Sequence, residues 1–209
     1  MKQFLISVVL LFLGSCVVPG QIGNRITEQD GSDAIRRWLS QVSGAQGGLI
    51  LSIGDAAVVQ AFPSEHFYVL RYPRYPVAQV LPEDITYNNL LVVHSDGRVE
   101  RLADTKTLES LFRSRLVRVS NAPLALRALT AWLRLSQEFQ QDGFFEFQEP
   151  VGKLNPLPKR AGLIVSGITM VIANAGNKGE IAVVLRFDRS GKLSSAVETA
   201  NVISGRRPN

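Results

Sequence analysis

Apolar positions along the chain follow two rhythms, one suited to helices and one to strands. Ile35, Trp38, Leu39 and Val42 stand at i, i+3, i+4 and i+7, which places them on one face of a helix. Ser32 or Asp33 supplies its N-cap, and Gly44, Gly47 and Gly48 end it. The apolar run 49–53 then predicts a buried strand. Asp55 caps a short helix carrying Val58, Val59 and Phe62, which Pro63 stops. Strands are expected at 66–72 and 75–80, separated by Pro73. Segments 90–93 and 98–102 flank Ser95-Asp96-Gly97, where Asp-Gly supplies the positive φ of a hairpin turn. Asp104 or Thr105 then opens a helix presenting Leu108, Leu111, Phe112 and Leu116.

The second half has the longest periodic stretch. Asn121 opens it, with Pro123 in the first turn, where a missing N–H costs nothing. Ala125, Leu129, Trp132, Leu135 and Phe139 form the core stripe, and Gly143 is the stop. Four strands follow, at 144–148, 163–173, 180–188 and 192–203, with a tight turn at Asp188-Arg189-Ser190-Gly191. The segment 149–162, with Pro150, Pro156 and Pro158, reads as a crossover connection, and its length also makes it a candidate binding loop. The order predicts an α+β fold: a long helix packed on an antiparallel four-stranded meander, with additional N-terminal helices and a hairpin. By arrangement alone it resembles cystatin-like and NTF2-like folds. One domain is expected over 32–209, with 118–122 as the place where it would subdivide.

One apolar segment fits neither rhythm. Met1-Lys2 is a short basic start, and residues 4–13 are apolar except for Ser7. Gly14 and Ser15 follow, directly before Cys16, the only cysteine in the chain. Together these mark a secretory signal, since so short an apolar run falls well below the roughly 20 residues needed to span a bilayer. The alternative is an ordinary secreted protein cleaved after Gly20; a lone cysteine at the cleavage boundary, with no partner for a disulfide, is instead accounted for if its sulfur carries lipid. Leu13-Gly14-Ser15-Cys16 resembles a bacterial lipobox. The resemblance implies that residues 1–15 are removed, that the Cys16 thiol carries a diacylglyceryl group, and that residues 16–31 are a tether to the membrane. Val17 stands where Asp would imply retention in an inner membrane, so the same resemblance implies an outer-membrane, periplasm-facing anchor where two membranes exist.

Composition adds exclusions. Hydrophobic residues make up 45% and charged residues 20%, the balance of a globular chain. The net charge is +5, but basic residues run together only in pairs such as Arg36-Arg37 and Lys159-Arg160. Scattered charge is a solvated surface, and with no nucleic-acid motif present, nucleic acid is excluded as a partner. His66 and His94 share no helix and lie near no cysteine, so no metal is expected. His94-Ser95-Asp96 are neighbours in a turn and cannot adopt triad geometry. Ser166 has no nucleophile elbow around it, and the glycines of 43–48 lack the Lys-Ser/Thr of a phosphate loop. Glu146 and Glu149, three apart in a strand, point to opposite faces. No catalytic residue and no cofactor are expected.

The unusual segment is 67–76, Phe-Tyr-Val-Leu-Arg-Tyr-Pro-Arg-Tyr-Pro. Its interleaved aromatic and guanidinium groups suit a peptide, a protein strand or an anionic glycan through stacking and cation–π contact. Arg71, Tyr72, Arg74 and Tyr75 are therefore the candidate ligand-binding residues. The competing reading is a proline-bounded strand at a sheet edge whose tyrosines pack inward. Residues 68–78, 131–139, 141–145 and 177–182 together resemble exported bacterial lipoproteins of similar length, a likeness that brings no activity with it. The expectation is a non-catalytic envelope lipoprotein, held to the membrane through Cys16 and binding an envelope protein, peptide or glycan. A structural component of the envelope, or an enzyme with its site inside an NTF2-like cone, are the alternatives.

Overall fold

The first half of the chain builds a four-stranded antiparallel meander: β1 (Leu49–Ser52), β2 (Glu65–Arg71), β3 (Asn88–His94) and β4 (Val99–Leu102). The computed structural model describes residues 27–42, 47–73, 80–141, 145–155, 162–173 and 178–201. β2 and β3 are apolar on both faces through their middles, Phe67–Leu70 and Leu90–Val93, because both faces of their sheet are covered there. Phe67, Leu90, Val92 and Leu102 face the main core. Tyr68, Leu70, Leu91 and Val93 face the other way, onto Ala34, Ile35 and Leu39 of α1 (Glu28–Val42).

Three helices lie on the main-core side: α2 (Ala56–Ala61), α3 (Thr105–Arg115) and α4 (Ala122–Gln140). Each starts where the sequence places its cap. The Asp55 carboxylate accepts from the Ala57 and Val58 amides, Asp104 shares a reciprocal capping box with Thr107, and Asn121 accepts from the Leu124 amide. α4 is buried beyond one stripe: Ala128, Ala131 and Leu133 are covered as fully as Leu129, Trp132 and Leu135. The cause is its position between two sheets. A train of edge-to-face rings, Phe67–Phe62–Phe112–Trp132, runs through this core with centroids 5.2, 4.8 and 4.8 Å apart.

The second sheet holds β5 (Phe145–Phe147), β6 (Val151–Asn155), β7 (Leu163–Ala173), β8 (Lys178–Phe187) and β9 (Leu193–Asn201). β5 and β6 both pair with β7, so they form one edge interrupted at residues 148–150. Val165, Ile181, Val183, Leu185 and Phe187 point at α4. Gly152 and Gly167 face one another across β6 and β7. A Cβ at Gly167 would lie 2.7 Å from the Val151 carbonyl oxygen and 2.8 Å from Leu129, so bare backbone is what lets α4 seat here. The opposite face of this sheet is open and exposes Val151, Ile168, Ile172 and Val197.

The α+β class and the antiparallel sheets agree with the sequence reading, and several details depart from it. α1 starts at Glu28, inside the expected tether, because Thr27 and Asp30 form a reciprocal cap that outcompetes Ser32 or Asp33. Gly31, expected in the tether, lies within that helix, where an added Cβ would fall 2.0 Å from the Tyr68 hydroxyl. β1 is not buried: Leu49 is 58% exposed, since this strand pairs on one side only. The expected crossover at 149–162 contains β6, so the second sheet has five strands and not four. The Arg-Tyr-Pro segment does not begin at a sheet edge, because β2 is flanked by β1 and β3. Of the strand expected at 75–80, only Val80 is described, and it belongs to no strand. One buried cluster joins residues from both sides of 118–122, from Val58 to Leu193.

Candidate functional site

A cleft of about 720 Å³ opens at the end of the first sheet where β2 and β4 finish and β3 begins. The last turn of α4 forms one wall through Glu138 and Phe139, and residues 80–87 close another. Leu81, Ile85, Leu90 and Leu102 give the cleft apolar surface, while Asn88, Asn89, Arg101 and Glu138 give it polar groups. Its volume falls within the range of small-ligand sites, while its lining is more polar than most of them.

Side-chain bonds fix much of that lining. Arg71 donates from Nε to Asn88 Oδ1 and from Nη2 to Glu138 Oε2, both at 3.0 Å. Asn88 Nδ2 donates to the Glu138 backbone oxygen at 2.5 Å. The network ties the end of β2 and the start of β3 to α4, and Arg71 offsets the charge of the buried Glu138 carboxylate. Asn89 shapes the adjoining loop: its Oδ1 accepts from the Thr86 amide at 2.9 Å, and its Nδ2 donates to the Thr86 carbonyl at 2.6 Å.

The residues singled out in the sequence separate. Arg71 stands behind the cleft, its side chain 38% exposed and engaged with Glu138. Tyr72 is buried and packs with α1 and Ile85. Arg74, Tyr75 and Cys16 lie outside the described residues. Cleft residues Asn88, Arg101 and Glu138 carried no sequence signal, since they sit on three different elements and meet only in the fold. Among the described residues no group of three His, Cys, Asp or Glu side chains could hold a metal, and no helix is long and apolar enough to cross a membrane.

A second polar feature lies in the core. Trp132 donates from Nε1 to Glu198 Oε2 at 2.5 Å. Burial holds the Glu198 carboxyl above its ordinary range, against the opposing pull of hydrogen bonds from Trp132 and Ser136. A raised folded-state value favours the protonated acid. The stability this contributes is present below the unfolded value near 4.5 and is lost as pH rises through the folded value. Glu198→Gln keeps an acceptor for Trp132 and removes that loss. Its stability should match wild type in acid and exceed it at neutral pH, as read by urea unfolding at pH 4 and pH 7.5. A deficit that grows toward neutral pH would show that the ionised carboxylate is the stabilising form.

No family model, curated protein or solved structure matches the chain.

Proposed function

We propose that this chain is a non-catalytic lipoprotein of the cell envelope, anchored through lipid on Cys16, whose folded domain binds a ligand in the cleft at the end of the first sheet. The cleft carries the binding half of the reading. Its polar wall is held rigid by the Arg71–Asn88–Glu138 network, and its apolar wall is preformed. The anchor rests on the Leu13–Cys16 pattern and on the lone cysteine. Residues 16–26 would then span the distance between the lipid and α1, whose cap at Thr27 marks where the tether ends. α4 lying on the inner face of β7 and β8 supports the likeness to cystatin-like and NTF2-like order.

Intact mass of the membrane-extracted protein should show residues 1–15 removed and a diacylglyceryl group added. Cys16→Ala should abolish the lipid and leave the melting temperature unchanged, because α1 and the sheets lie beyond the tether. A soluble exported species beginning at Gln21 would refute the anchor. For the cleft, ligand-observed NMR with a fragment set of neutral and charged compounds should give hits that Ala103→Trp removes by filling the space. The absence of hits sensitive to that variant would refute the binding half. The open apolar face of the second sheet, with Val151, Ile168, Ile172 and Val197 exposed, favours a second reading as a component of an envelope assembly.

A further inference from the structure

We propose that Arg101 is the anion anchor of the cleft, and that the ligand is a small organic monoanion, a carboxylate carried on an apolar body. The inference rests on the binding reading above and gives its ligand a chemistry. Arg101 lies on β4 and lines the cleft half-buried. Its Nη1 is sealed from water with no hydrogen-bond partner among the described residues.

The carboxylate in the lining and the one beside Arg101 in the chain are committed elsewhere. Glu138 takes Arg71 and Asn88. Glu100, beside Arg101 in the chain, takes His94 at 3.0 Å and Arg98 at 3.5 Å. Among the described residues, Arg71 beside the cleft is already paired, and Arg101 is the lining cation without a counter-charge. A partly desolvated guanidinium with no counter-charge is unfavourable, and each charge-assisted bond it gains is strong. Because the cation is delocalised, a carboxylate on its accessible side offsets the charge of the whole guanidinium, the sealed Nη1 included, without bonding to that nitrogen.

The rest of the lining narrows the class. Asn88 and Asn89 spend their amide groups on Arg71, Glu138, Leu70 and Thr86, so they offer little to a highly polar ligand. Leu81 and Phe139 offer apolar contact instead, over the buried Ile85, Leu90 and Leu102. One guanidinium offsets one negative charge, and a second would go uncompensated. One carboxylate beside an aliphatic group satisfies all three conditions, whereas a phosphate dianion or a sugar does not.

The test uses the full-length lipidated chain in neutral detergent at low salt, titrated with N-acetyl-leucine and with N-acetyl-leucinamide, which differ only at the carboxylate. Saturable binding of the acid is expected, followed by NMR shifts of cleft residues, with the amide at least tenfold weaker. Arg101→Gln should erase that preference while the protein still melts cooperatively. If Arg101→Gln does not fold, Arg101→Lys decides: it keeps the charge but loses the planar fork, so the preference should fall several-fold. Equal binding of acid and amide would overturn the anion anchor and leave the binding reading standing. So would failure of both probes where neutral fragments still occupy the cleft. An acid preference that survives Arg101→Gln would place the anion site elsewhere. If no probe and no fragment binds, both readings fall together.

Discussion

Trp132→Ala is expected to destabilise the fold by about 3–5 kcal/mol, the range for truncating a fully buried aromatic. Trp132 is 1% exposed at the centre of α4, the helix with a sheet on either side. It ends the ring train through its contact with Phe112 at 4.8 Å. Its Nε1 is also a hydrogen-bond donor to Glu198, so truncation removes a partner from a group in a largely apolar setting. Trp132→Phe separates the two effects. It keeps a ring against Phe112 and loses only the donor and some volume, so its cost should be clearly smaller than that of Ala. Urea unfolding of both variants measures this. An alanine variant within about 1 kcal/mol of wild type would mean that the core closes over the space, and the central role of α4 would have to be abandoned.

Local signals in the sequence carried well into the structure. Caps at Asp55, Asp104 and Asn121, the turn at Gly97 with φ of 80°, and the turn at Gly191 with φ of 76° each depend on a few adjacent residues. What the sequence hid is set by distant neighbours. β1 is as apolar as a buried strand, but only the topology shows that it has one partner. β6 reads as a proline-bounded connection because Val151–Asn155 alternates weakly, and it is a strand only because β7 offers the free edge. The same limit governs the cleft. Arg71 was visible in its aromatic surroundings, but its partners Asn88 and Glu138 lie 17 and 67 positions away. Arg101 reads as an ordinary strand residue until the lack of a carboxylate opposite it becomes apparent.

His94→Leu is expected to cost about 3 kcal/mol, the upper part of the range for leaving a buried hydrogen-bonding group without its partner. The sequence made His94 a turn residue, and it does begin the hairpin at Ser95-Asp96-Gly97. It is also 3% exposed, with Nδ1 at 2.8 Å from Glu65 Oε2 and Nε2 at 3.0 Å from Glu100 Oε2. Two carboxylate acceptors require a donor from each ring nitrogen, as in the imidazolium, or a proton on one of the acids. Either way the three groups share protons that leucine cannot supply. Glu65, whose side chain is 4% exposed, would keep only Arg115, at 3.7 Å, among the described residues. Glu100 is 40% exposed and keeps both water and Arg98. The arms of the site should therefore be unequal: Glu65→Ala should cost several times as much as Glu100→Ala, which should stay within the about 1 kcal/mol of a surface pair. The double variant Glu65→Leu/His94→Leu should be less destabilised than the sum of its singles, because the second change removes the group the first one stranded. Additive costs, or equal costs for Glu65→Ala and Glu100→Ala, would mean that His94 stabilises the hairpin by packing, with no contribution from its bonds to the carboxylates.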